Sequence, residues 1–223
     1  MLDLVAEPSR KQETAPSNRR ARAQAGSGAF RIVVICSGNM FRSPLVEGFI
    51  RQQTAGLPVE VSSRGALDLT AGPPHPGAVE CAARLGVDIS GHRSRPLART
   101  YLSGVDLVLG FERAHVSRAV VECGAPREKT FTLLELVDLL EAAPAPDAPS
   151  SVERARSAVE QANQYRRPRE GRPLPELADP LGESARGQRQ AVRRLHDASA
   201  TIVRHLFGTA RDASKRKAAP GPS

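Results

Sequence analysis

The stretch Cys36-Ser37-Gly38-Asn39-Met40-Phe41-Arg42 puts a soft nucleophile, two turn-forming residues and a guanidinium on one short loop. The backbone amides of such a loop can curl into an anion-binding nest, and Gly38 and Asn39 are types that tolerate the positive φ this curling demands. A phosphate-sized oxyanion suits the nest. Arg42, six positions after the cysteine, can bring a planar fork to two oxygens of that anion, which a lysine ammonium cannot do. The same field acts on Cys36, because a helix N-terminus and an adjacent arginine draw a thiol from about 8.5 to roughly 3.5–7.5. Ser43 follows the arginine and can offer its hydroxyl to the sulfur. Cysteine suits this chemistry because it attacks phosphorus as a good anion and departs readily when water arrives. The bland alternative is a buried cysteine closing a core strand, so the surroundings must decide.

Those surroundings read as a strand, a loop and a helix. Phe30-Arg31-Ile32-Val33-Val34-Ile35 is the β-branched run of a strand buried on both faces of a parallel sheet, and it leads straight into Cys36. Ser43-Pro44 opens a helix with proline at a comfortable first-turn position and Leu45, Val46, Phe49 and Ile50 on one face. Further strands are expected at 59–62, 105–109 and 129–133, with helices at 76–85, 112–122 and from 133 to about 140. This alternation predicts an α/β fold: a single domain built on a doubly wound, four-stranded parallel sheet with helices on both faces. In such sheets ligands bind beyond the carboxyl ends of the strands, where the Cys36 loop falls. The folded domain spans 29–208, flanked by disordered basic tails at 1–28 and 209–223. An extended insert at 141–178 comprises a Pro/Ala linker, a polar helix over 151–165 and an Arg/Pro-rich loop. The last helix, 183–207, carries Ala191, Leu195, Ala198, Ile202 and Leu206 as one stripe.

Composition narrows the function classes. A chain of 223 residues with 40% hydrophobic content supports one well-packed domain. The absence of a run of roughly 18 apolar residues, and of a signal-peptide core in MLDLVAEPSR, leads us to expect a cytoplasmic protein without membrane insertion. Three scattered cysteines at 36, 81 and 123 form neither a disulfide framework nor a zinc pattern, so no metal and no cofactor are expected. The tails hold more than half of the formal charge of +8, and the chain has no Trp, two Tyr and six Phe. Nucleic acid is therefore not an expected partner. Cys81 and Cys123 read as packing residues, His75 and His92 as structural, and the arginines of 166–172 as solvated charge.

CSGNMFRSP, directly after RIVVI, resembles the signature of the low-molecular-weight protein tyrosine phosphatases of bacterial type, in which Cys, five residues, Arg, Ser-or-Thr and Pro follow the first strand. SSRGALDLTAGPPHPGAVECAARLGVDISGHRSRPL and DLVLGFERAHV are similar to later segments of that family, and ADPLGES to its late Asp-Pro motif. The resemblance implies that Cys36 is the nucleophile and that Arg42 binds phosphate. It makes Ser37, Gly38, Asn39, Met40, Phe41 and Ser43 the rest of the phosphate loop, and Asp179 the acid that protonates the leaving oxygen. The implied activity is hydrolysis of phosphotyrosine or related phosphomonoesters through a phosphocysteine. The implied partner is a phosphotyrosine-containing protein, a bacterial tyrosine kinase of polysaccharide export being the candidate. Three features depart from the family pattern: Phe41 where many members carry a second cysteine, Leu181-Gly182 where aromatic residues often follow the Asp-Pro, and the length of 141–178. Two rival functions stay open. Thiol-dependent arsenate reduction shares the fold and loop and needs resolving cysteines, and a non-catalytic anion-binding module needs neither Cys36 nor Asp179.

Overall fold

The computed structural model describes residues 28–69, 71–98, 100–166 and 173–208. The expected disordered tails lie outside these residues apart from Gly28, as do 167–172 of the Arg/Pro-rich loop. The strands are β1 (Phe30–Cys36), β2 (Val59–Gly65), β3 (Leu107–Gly110) and β4 (Thr130–Thr132). They form one parallel sheet in the order β2-β1-β3-β4, with Cys36 paired to Gly65 and Ile35 to Gly110. The helices are α1 (Arg42–Gln53), α2 (Pro76–Arg84), α3 (Arg113–Cys123), α4 (Leu133–Ala142), α5 (Ser151–Tyr165) and α6 (Ala185–Phe207). The expected α/β architecture is thus the observed one.

Period-two alternation sends β1 into two cores. Ile32, Val34 and Cys36 pack with Leu45, Phe49, Leu136, Ala158 and Ile202 on the side of α1, α4, α5 and α6. Val33 and Ile35 pack on the other side with Leu97, Leu102, Ala119 and Cys123. That second face is covered by α3 and by Leu97, Leu102 and Val105 from the connection before β3, which sequence periodicity did not anticipate. The buried stripe of α6 runs through Val192, Leu195, Ala198, Ile202 and Leu206, so Val192 takes the place expected for Ala191, which is only half-buried. Truncating a fully buried side chain such as Phe49 would cost about 3–5 kcal/mol.

The helix expected at 151–165 of the insert is α5. Ser150 caps α5 by accepting from Glu153 N, and Ala155, Ala158, Val159 and Ala162 bury the small-residue face of α5. At its end Arg166 departs from the expected solvated charge: its guanidinium lies 4.0 Å over the Phe131 ring and donates to Glu135 Oε1 (3.1 Å), Thr130 O (2.9 Å) and Arg127 O (3.1 Å). With Asn163 Oδ1 (3.1 Å), four acceptors and an aromatic face converge there, and a planar five-donor group satisfies all of them. Among the described residues no helix is long and apolar enough to cross a membrane.

The connection from β1 leads to β2 on one side, while β3 and β4 lie on the other. The strand order therefore reverses between β1 and β3. A crevice opens at such a switch point beyond the carboxyl ends of the two strands, and Cys36 and Gly110 are those ends.

Candidate active site

The loop from Cys36 to Arg42 is shaped by Asn39, which takes φ 54° and is the only described non-glycine residue with positive φ; Gly38 does not need it. Asn39 is fully buried and fully bonded. Its Nδ2 donates to Ser43 Oγ (2.9 Å) and Ser63 Oγ (2.8 Å), its Oδ1 accepts from Arg95 N (2.8 Å), and its carbonyl meets His92 Nε2 at 2.9 Å. The hydroxyls run in one direction. Ser63 donates to Glu47 Oε2 (2.5 Å), so its lone pair accepts from Asn39, whose second amide proton goes to Ser43. Ser43 is thereby free to donate to Cys36 Sγ at 3.0 Å, and Asn39 N donates to the same sulfur at 3.2 Å. Two donors thus converge on one buried sulfur.

Helix α1 begins at Arg42 without a side-chain cap and with no acid in its first turn. Its leading amides are thus left to the loop, the arrangement in which a helix N-terminus takes an anion. Gly65 lets β2 press against the loop, since a Cβ there would meet Ser37 O at 3.1 Å and Gly38 C at 3.2 Å. His75, at the N-cap of α2, donates its amide to Met40 O at 2.8 Å and lies beside the Phe41 ring. The two histidines read as structural thus buttress the loop from outside.

Arg42 is 1% exposed, yet it meets two carboxylates. Nη1 donates to Glu112 Oε1 and to Leu177 O (2.8 Å); Nη2 donates to Ser37 Oγ (3.1 Å) and Asp179 Oδ2 (2.7 Å). The guanidinium also lies 5.4 Å from the Phe111 ring centre. Its Nε is buried without a hydrogen-bond partner among the described residues. An orphaned cationic donor of this kind calls for an acceptor. Asp179, whose side chain is 33% exposed, also accepts from Leu181 N through Oδ1 at the start of a short 3-10 turn, Pro180–Gly182.

Asp179 lies 137 positions from Arg42, and a series of hydrogen bonds, each with at least one main-chain partner, brings it there. Thr132 Oγ1 donates to Pro175 O (2.9 Å), Arg113 N to Glu176 Oε1 (2.7 Å), and Leu177 N to Phe111 O (3.0 Å). Residues 175–179 therefore run across the carboxyl ends of β4 and β3 and finish over the loop.

The family described as low molecular weight phosphotyrosine protein phosphatase matches residues 31–147. The chain belongs to this family. The matched stretch holds Cys36 and Arg42 and stops short of Asp179. The chain is similar to a protein named "Probable low molecular weight protein-tyrosine-phosphatase EpsP" of Ralstonia nicotianae, with 36% identity over 47% of this chain and 71% of that one. It is also similar to a protein-arginine-phosphatase of Bacillus subtilis, with 33% identity over 48% of this chain and 71% of that protein. A solved low-molecular-weight phosphatase from T. tengcongensis shares the fold, with TM-score 0.59 and 24% identity over 80% of this chain and all of that one. This low-molecular-weight phosphatase is accordingly a hydrolase.

Sequence reasoning missed several residues around the loop: Glu47, Ser63, Phe111, Glu112, His115 and Leu177. Two left a signal. Glu47 lies one helical turn after Ser43, and Glu112 precedes His115 by the three positions of a capping box. His115 is 3% exposed; its Nδ1 accepts from Phe111 N (3.3 Å) and Glu112 N (3.2 Å), and its Nε2 lies 3.1 Å from Ser37 Oγ. Burial pushes the imidazole below its ordinary range, with Glu112 opposing and Arg42 reinforcing. Gly110 permits this approach, since a Cβ there would meet His115 Cβ at 2.9 Å. Cys81 lies in the core on the Cys36 side of the sheet and Cys123 in the core on the other, and burial pushes both thiols up.

Proposed function

We propose that this chain hydrolyses phosphotyrosine or related phosphomonoesters through a phosphocysteine at Cys36. The observation that carries the reading is Arg42: a buried guanidinium with an orphaned Nε and with Asp179 on the neighbouring Nη2. An incoming phosphoryl group takes the Nε and Nη2 edge as a two-point fork, together with the free amides of the loop, and Asp179 gives way. Glu112 and Leu177 O keep their hold on Nη1 and fix the plane of the fork.

The Cys36 thiolate attacks phosphorus as the bond to the ester oxygen breaks, and Asp179 in its acid form gives that oxygen a proton. Water then attacks the phosphocysteine while the Asp179 carboxylate takes one of its protons, and the S–P bond breaks. Ser43, held as a donor by the chain through Asn39 and Ser63, stabilises the sulfur as it departs. Thiol-dependent arsenate reduction has less support, because Cys81 and Cys123 are buried on opposite sides of the sheet. A second reading has support of its own in the likeness to a protein-arginine-phosphatase: the same phosphoryl site acting on a phosphoguanidino group. The phosphotyrosine-bearing partner proposed is a bacterial tyrosine kinase, and the reaction takes place in the cytoplasm.

Cys36→Ser tests the mechanism. The variant is expected to lose turnover of an aryl phosphate while keeping affinity for inorganic phosphate, because the amides and Arg42 remain. Turnover above roughly a tenth of wild type would remove Cys36 from the reaction. Parallel assays with phosphotyrosine and phosphoarginine peptides separate the two substrate readings by kcat/KM.

A further inference from the structure

We propose that His115 is a positioning residue that forces the Ser37 hydroxyl to donate its proton to the bound phosphoryl group. This inference rests on the reading of the loop as a phosphoryl site. Two backbone amides, Phe111 N and Glu112 N, point at Nδ1 of the buried ring. Nδ1 must therefore accept, and the neutral imidazole carries its proton on Nε2. That proton goes to Ser37 Oγ at 3.1 Å. Arg42 Nη2 donates to the same oxygen, also at 3.1 Å.

Both lone pairs of Ser37 Oγ are then engaged, and its own proton has to be donated. The hydroxyl stands beside the Nη2 corner where Asp179 Oδ2 now accepts, so an anion oxygen taking that corner meets a third donor already aimed at it. A serine without this arrangement would choose between accepting and donating, and part of its contribution would be lost to rotation. Sequence supports the assignment of parts. His115 is placed by the first turn of α3, Ser37 by the loop, and Gly110 by the end of β3, three segments that meet only at the switch point.

The test separates the donor from the cap. In His115→Asn the amide oxygen replaces Nδ1 as acceptor for the two backbone amides, but nothing reaches Ser37. In His115→Gln the amide nitrogen replaces Nε2 and restores the donor. The full reduced chain is titrated calorimetrically with inorganic phosphate, and kcat/KM is measured on an aryl phosphate. Phosphate affinity is expected to fall roughly tenfold in His115→Asn and in Ser37→Ala, and to stay within about twofold of wild type in His115→Gln. The double variant Ser37→Ala/His115→Asn should lose no more than either single one. Equal affinity of Ser37→Ala and wild type, or additive losses in the double variant, would overturn the inference, and the Ser37→Ala comparison decides even if His115→Asn does not fold. A wild-type chain that binds no phosphate overturns the proposed function and this inference together.

Discussion

Asp179 serves two partners at the loop. In this structure one oxygen caps the Pro180–Gly182 turn while the other balances Arg42. In the reaction proposed above, phosphoryl binding removes the second contact and leaves the carboxyl at the edge of the site, where a leaving oxygen emerges. A tyrosine oxygen leaves badly as an anion, its conjugate acid having a pKa of about 10, so protonation during P–O cleavage is worth roughly 10²–10⁴-fold. An aryl ester with an electron-poor ring needs far less help. Asp179→Asn is therefore expected to slow phosphotyrosine hydrolysis much more than hydrolysis of the activated ester, read as single-turnover formation of phosphocysteine on both. An equal loss on the two substrates would make Asp179 a structural partner of Arg42 and nothing more.

At the scale of elements, the insert is tied to the sheet at a point that also starts the segment leading to Asp179. Arg166 closes α5, stacks on Phe131 of β4 and pairs with Glu135, which is 2% exposed on α4. Thr132 and Glu135 themselves form the capping box of α4, so one buried carboxylate serves both the cap and the latch. Burial pushes the Arg166 guanidinium below its ordinary range, and Glu135 opposes that shift. Arg166→Ala leaves Glu135 buried without its cation, which should cost about 3 kcal/mol. Urea denaturation measures this; a loss below roughly 1 kcal/mol would mean the latch is no stronger than a surface pair.

For the whole molecule, the two histidines with depressed pKa values set a direction for stability against pH. His115 is held below 6.5 chiefly by burial, and His205 by burial with Arg204 adding to it. The unfolded chain binds protons at these sites at higher pH than the folded one. Their contribution is therefore complete above about 6.5 and is lost as pH falls from there through the folded values. Urea midpoints should drop between about pH 7.5 and 5.5, and the drop should shrink in a His115→Gln/His205→Gln variant. An undiminished drop in that variant would assign the acid sensitivity to carboxylates instead.

Local chemistry made the central unit of this protein legible in its sequence. The β-branched run to Cys36, the Gly-Asn turn and Ser43-Pro44 each favour one backbone conformation through short-range sterics, and together they predict a strand, a loop and a helix carrying a thiol and a guanidinium. The alternation of strands and helices likewise predicted the parallel sheet. Contacts between distant segments left no such trace. That Asp179 sits on Arg42 depends on the Thr132 hydroxyl, the Glu176 carboxylate and the Leu177 amide each meeting a main-chain partner in a distant segment, and no local pattern marks such pairings. Arg166 read as solvated because charge pattern carries no information about three carbonyl and carboxylate acceptors converging from other elements. His115 was passed over for the same reason: its tautomer, and with it the donor state of Ser37, is decided by two amides of one turn and a hydroxyl 78 positions away. Sequence by itself determined which groups could do phosphoryl chemistry, and the strand order of the sheet decided which of them meet, because only the reversal between β1 and β3 opens a crevice where all can converge.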